Sequence, residues 1–220
     1  MMRRLTTIAG VAILSALSAI TLVAQQKIDL AGQLKAGKLK AFNREVSAGD
    51  ASRGAVKVNE AEGNGVIWID GTDFALGTIE LDIKGRDLMQ RSFVGVAFHG
   101  KDDKTYEAVY LRPFNFRATD PVRKDHAVQY ISLPDYDWPR LRKEFPEEFE
   151  NPVDQSLVPT EFTPVRIVVN ATNVQIFVGN VKTPTLEVRK LGTLDRGRIG
   201  VWAGNGSDGE YANLRITPAK

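Results

Sequence analysis

The chain contains no cysteine. That excludes disulfides, a lipid-modified cysteine behind an export signal, a thiolate nucleophile and a zinc–sulfur site. Histidine is almost as scarce. His99 and His126 are the only two, so any imidazole base near neutral pH must be one of them. An excess of charge of one sign is missing too. The 220 residues hold 29 basic and 27 acidic side chains, and Arg3 and Arg4 supply the surplus. Beyond residue 24 the charges balance, which argues against a general electrostatic grip on nucleic acid. No internal repeat is visible, and neither Ser92 nor Ser132 sits in a nucleophile elbow.

What is present begins with an export signature. Arg3 and Arg4 form a short positive region, Leu5 to Val23 carries no charge, and Ala24 offers the small residue a signal peptidase needs. The competing reading is an uncleaved anchor. Thr6, Thr7, Ser15, Ser18 and Thr21 weaken the stretch as a span, which needs about 20 predominantly apolar residues. The sequence therefore predicts a signal peptide over residues 1–24, a periplasmic or secreted location, and no stable membrane span after cleavage. Residues 25–40 read as an N-terminal extension or edge strand, and 41–220 as one domain.

Eleven β-type segments follow, from Ala55–Asn59 to Tyr211–Thr217, separated by turns such as Glu62-Gly63-Asn64-Gly65 and Asp70-Gly71. In Thr78–Lys84 the residues Ile79, Leu81 and Ile83 share one face, and Glu80, Asp82 and Lys84 the other. Short strands at this spacing predict an all-β, two-sheet antiparallel sandwich of jelly-roll type. One segment departs from the pattern. Trp138, Leu141, Phe145 and Phe149 recur at helical spacing, with Asp137 as cap, Pro139 in the first turn and Pro146 as stop. It predicts one short inserted helix, within a strand-poor stretch from Leu133 to Pro164 of the kind that often carries function.

Phe93–Gly100, Tyr106–Asn115, His126–Tyr130, Gly197-Arg198-Ile199-Gly200-Val201-Trp202 and Tyr211-Ala212-Asn213-Leu214 together carry a family resemblance. The chain resembles the concanavalin A-like lectin/glucanase superfamily over roughly Gly65 to Pro218. Within it, the chain looks like secreted bacterial domains of the 3-keto-disaccharide hydrolase-like, or family-16-like, kind. The resemblance implies a domain that binds a sugar or glycan, or cleaves a glycosidic bond, on the concave sheet face. Family-16 chemistry needs Glu-x-Asp-x-Glu or a form one residue longer. Here Glu80-Leu81-Asp82-Ile83 runs into Lys84-Gly85 and lacks the last carboxylate, so a two-carboxylate mechanism on this strand is not expected.

Strand alternation proposes another face. If Phe93–His99, Tyr106–Arg112 and His126–Leu133 are neighbours, one surface gathers Gly95, Ala97, His99, Tyr106, Tyr110, Arg112, His126 and Tyr130. Small residues leave a groove, aromatic rings cover sugar faces, and Arg or His bonds hydroxyls or a carboxylate. The expected ligand-binding residues are Tyr106, Tyr110, Arg112 and Tyr130, with Trp138 as a stacking ring. His99, His126 and Glu107 are the catalytic candidates. Glu107 falls among apolar neighbours and needs a basic partner. Structural roles compete throughout, since half-buried Tyr and His are common in strands. No cofactor is expected; Asp135 with Asp137, or Asp102 with Asp103, is the nearest thing to a calcium set, and neither matches a dedicated calcium loop. Three functions remain open: glycan binding, hydrolysis or lysis of a 3-keto-glycoside, and a partner-binding sandwich without a small ligand.

Overall fold

Strands form where apolar and polar residues alternate. All eleven expected segments are strands in the computed structural model, which describes residues 24–219. The stretch read as an export signal lies outside the described residues, apart from Ala24.

In chain order the elements are β1 (Gln26–Lys27), α1 (Leu30–Lys35), β2 (Leu39–Phe42), β3 (Val46–Ala48), β4 (Val56–Val58), β5 (Gly65–Ile69) and β6 (Gly77–Lys84). Next come β7 (Val94–Gly100), β8 (Tyr106–Leu111), α2 (Pro121–Asp125), β9 (Val128–Leu133), α3 (Trp138–Glu144) and β10 (Glu150–Asn151). The last are β11 (Thr163–Val169), β12 (Asn173–Val178), β13 (Leu186–Arg189), β14 (Arg198–Ala203) and β15 (Gly209–Pro218). The four strands that the sequence left unassigned, β1, β2, β3 and β10, have two to four residues each. That is too short for alternation to be visible.

Every strand pair is antiparallel. One sheet runs β13-β12-β11-β6-β15-β4-β3, with β1 pairing β15 beside β4; the other runs β10-β9-β8-β7-β14-β5-β2. The core lies between them. From the first sheet come Ile79, Leu81, Ile83, Val165, Ile167 and Ile176; from the second, Ile67, Val94, Val96, Phe98, Val109, Leu111 and Val201. Glu80, Asp82 and Lys84 face outward from β6, and Asp82 and Lys84 pair with Arg53 and Glu210 at 3.3 and 3.1 Å. The incomplete glucanase strand is thus a solvated face of the eight-stranded sheet.

Residues 25–40 contribute to both sheets, β1 to one and the start of β2 to the other. The inserted helix is α3. The Asp137 side chain accepts from the Arg140 amide, Pro139 occupies the first turn and Leu141 is buried. The helix stops at Phe145, one residue before Pro146, because proline disfavours helical backbone in the residue ahead of it. Helices α1 and α2 are additional to that expectation. Behind α3 the chain returns as β10, which pairs Glu150 with Gln129 of β9.

Candidate functional site

The site is built on the outer face of the seven-stranded sheet. Side chains at paired positions point the same way. Tyr110 pairs with Gly95, Gly95 with Trp202 and Gln129 with Tyr110, so these residues share the face turned away from the core. Glycine permits large rings to lie flat there. A Cβ on Gly95 would stand 2.6 Å from Tyr110 Cβ, and one on Gly204 would stand 2.9 Å from the Trp202 ring. The Tyr110 and Trp202 rings lie 4.8 Å apart, tilted by 35°. Phe93 meets Tyr110 and Phe114 edge-on at 6.3 and 5.5 Å.

A polar cluster stands at one end of this floor. Arg112 lies 4.9 Å over the Tyr110 ring and donates to the Tyr110 hydroxyl at 2.8 Å and to the Gln129 carbonyl. Glu150 is 4% exposed. It accepts from Arg142 at 2.9 Å and from Arg112 at 3.4 Å. His126 Nδ1 lies 2.8 Å from the same carboxylate, off the line of a hydrogen bond. Arg142 also lies 5.0 Å over the ring of Trp138, which is 48% exposed at the start of α3. Arg112, His126, Trp138 and Arg142, together with Met89, Gln90, Asn64, Asn205 and the aromatic floor, line a groove of about 390 Å³. That volume and the mix of rings with a few converging polar groups suit a small polar ligand.

Burial is the first cause that lowers the His126 pKa from 6.5, with Glu150 opposing and Arg142 and Arg112 adding to it. As pH falls below about 6.5, the unfolded chain therefore takes up the proton before the folded one, and folding is disfavoured. We expect the melting temperature to drop between about pH 7 and pH 5. His126→Gln should flatten that drop; an unchanged profile would show that other groups set it.

The residues expected from the sequence do not all meet. Tyr110, Arg112, His126 and Trp138 line the groove. Tyr106 does not. It is 1% exposed, accepts from Trp202 Nε1 at 2.9 Å and packs edge-on against Trp68, so it belongs to the floor's foundation. Tyr130 is on the wrong side altogether. It pairs with Val109, and both face the core; it is Gln129 that lies beside Tyr110. His99 also leaves the expected face, because β7 carries an extra residue. Opposite Arg198 and Gly200 stand Gly100 and Ala97, so two residues of β7 answer one of β14. His99 takes φ 52° at this bulge and its ring turns inward.

Inside, His99 meets Glu107, and neither is accessible to solvent. His99 Nε2 donates to the Ala75 carbonyl at 2.6 Å, and Nδ1 contacts Glu107. The Tyr130 hydroxyl donates to the other Glu107 oxygen and accepts from the Leu191 amide at 3.2 Å. Lys190 approaches Glu107 at 3.8 Å. Nε2 must be the donor to a carbonyl, which leaves Nδ1 facing the Glu107 carboxyl. The basic partners required for Glu107 are thus His99 and Lys190. As catalytic candidates, His99 and Glu107 are set aside because no substrate reaches them.

Three of the four carboxylates considered for calcium have other partners. Asp102 accepts from the Lys104 and Thr105 amides, Asp103 from Trp68 Nε1, and Asp137 caps α3. Sequence reasoning missed Glu150 and Arg142, whose place depends on how the insert folds back. It also left Trp202 out of the expected ligand-binding residues. The alternate spacing Gly200-x-Trp202-x-Gly204 was the available signal for a ring lying flat on an outer face.

No protein-family model and no curated protein matches the chain. Solved structures do resemble it. The carbohydrate-binding module CBM66 from Bacillus subtilis is 13% identical with a TM-score of 0.58, over 82% of this chain and 96% of that one. A Bacillus subtilis protein with a galectin-like fold is 11% identical with a TM-score of 0.58, over 87% and 94%. The exoplasmic/lumenal domain of VIP36, in its calcium- and Man3GlcNAc-bound form, is 12% identical with a TM-score of 0.53, over 83% and 91%. Identities this low establish the fold, a concanavalin A-like and galectin-like sandwich.

Proposed function

We propose that the chain is an exported carbohydrate-recognising domain that holds a sugar or glycan in the groove on the outer face of its seven-stranded sheet. The observation that carries the reading is the groove itself, a flat Tyr110–Trp202 floor with the half-exposed Trp138 at its rim and arginine donors at one end. The exposed Trp138 ring offers area to the apolar face of a sugar ring, and guanidinium groups donate to hydroxyls. Structural relatives whose descriptions name carbohydrate binding or a bound glycan support the same reading. The export signature of residues 1–24 supports an encounter outside the cytoplasm.

A glycan panel read by thermal shift and then by calorimetry tests this. Trp138→Ala should raise Kd for a bound glycan by about fivefold to tenfold, an anchor-residue effect, with little loss of stability because the ring is half exposed. No shift and no heat across a broad panel would overturn the reading and favour a sandwich that binds a protein partner.

A second reading, hydrolysis of the 3-keto-glycoside type, has one observation in its favour. His126 and Glu150 stand together at the groove. Against it, Glu150 already accepts from two guanidinium groups, and among the described residues no carboxylate lines the groove, where a two-carboxylate mechanism requires two. Product release from the same panel, keto-sugars included, separates the two readings.

A further inference from the structure

The groove is charged in one sense. Arg112, Arg123, Arg142 and His126 line it, and no aspartate or glutamate does among the described residues. Glu150, behind them, balances one of the three guanidinium groups. Arg123 has only neutral partners. It donates to the Phe114 carbonyl at 2.8 Å and to the Asn115 side-chain oxygen at 3.3 Å. Its position is built: Asp120 caps α2 by accepting from the Arg123 amide at 2.8 Å, which fixes the residue on a short helix facing the groove. Arg142 gives Nε and Nη2 to Glu150, which leaves Nη1 for a further acceptor.

Neutral hydroxyls do not call for this surplus. Cations gathered in a half-enclosed site repel one another and lose hydration, and a planar anion relieves both costs. The guanidinium fork matches a carboxylate or sulfate with paired hydrogen bonds. We infer that the groove takes an acidic glycan. A carboxylate or sulfate substituent sits against Arg123 and Arg142, while the sugar ring lies against the half-exposed Trp138. This rests on the glycan reading above and names its ligand class.

The test is calorimetric titration of the whole protein with neutral gluco- and manno-oligosaccharides, oligogalacturonates and sulfated galactan oligosaccharides of matched length. Polyglutamate serves as a polyanion without sugar, and each titration is run at low and high salt. We expect one acidic series to bind at least about tenfold tighter than the neutral ones. That advantage should shrink in high salt. The uronate and sulfate arms then identify which substituent is read. Arg123→Gln should raise Kd for the acidic series about tenfold and reduce its salt dependence. Arg123→Lys keeps the charge without the fork, gives an intermediate loss, and stands in should Arg123→Gln not fold. Neutral glycans binding as tightly as acidic ones, with Trp138→Ala weakening them, would overturn the acidic-ligand inference and leave the glycan reading intact. Polyglutamate binding as well as the acidic sugars would overturn it as charge attraction alone. Binding by no sugar would end both.

Discussion

Glu107→Ala should cost about 3–5 kcal/mol of stability and lower the melting temperature by on the order of 10 °C for a domain of this size. Glu107 lies between the sheets with no exposure, and its two oxygens answer three elements. His99 comes from the bulge of β7, Tyr130 from β9, and Lys190 from the connection after β13 in the other sheet. Truncation leaves a histidine, a phenol and an ammonium group buried around an empty space, each without its acceptor. Burial, the first cause that raises the Tyr130 pKa, persists in the variant and keeps the phenol neutral. Glu107→Gln is the informative companion. Its amide oxygen accepts from Tyr130 and its NH2 donates to neutral His99 Nδ1, so the hydrogen bonds survive and only the charge facing Lys190 is lost. We expect about 1–2 kcal/mol for it. Chemical denaturation with unchanged m-values would measure both. An alanine cost under about 1 kcal/mol would mean that water replaces the carboxylate at no penalty, and the buried cluster would lose its structural role.

Gly95→Ala should damage both the sheet and the groove. The added methyl would stand 2.1 Å from the Val109 carbonyl oxygen and 2.6 Å from Tyr110 Cα, which are backbone atoms of the neighbouring strand. No side chain can swing aside to make room, so β8 must move away from β7. Overpacking of this kind costs about 1–3 kcal/mol, sometimes more. The displaced strand carries Tyr110 and leads directly into Arg112, so glycan affinity should fall at least about tenfold with it. Denaturation, near-ultraviolet dichroism from the Tyr110–Trp202 pair and calorimetry read the three effects separately. A variant with the parent's melting temperature and affinity would show that the strands have slack at Gly95 and that ring placement does not depend on this glycine.

The sandwich was legible because it is written in local alternation. β6 shows this plainly, with Ile79, Leu81 and Ile83 inside and Glu80, Asp82 and Lys84 outside. The groove was half legible. Tyr110, Arg112, His126 and Trp138 follow from strand faces and helix spacing, which are also local. What failed was relative placement between strands. Alternation correctly put Tyr130 on one face of β9, but pairing with Val109 rather than Tyr110 decided which side of the molecule that face became. A single extra residue in β7 reversed His99, and nothing in Phe98-His99-Gly100 announces a bulge. Glu150 and Arg142 lie eight positions apart, across the end of α3 and a two-residue strand. Only the folded insert brings them together.

The order of strands also has a kinetic side. β14 lies between β7 and β5, and β15 lies between β6 and β4 while also pairing β1. Central positions in both sheets are thus filled by the last two strands, from Arg198 onward, joined to partners more than a hundred residues earlier. Until those strands are synthesised, β5, β7, β4 and β6 are each paired on one edge only, with β2, β8, β3 and β11, and neither sheet is complete. Folding of this kind is slow, since long loops must close before any contact repays them. Under the export proposed above, that delay is an advantage, because it postpones the sandwich until translocation has had time to begin.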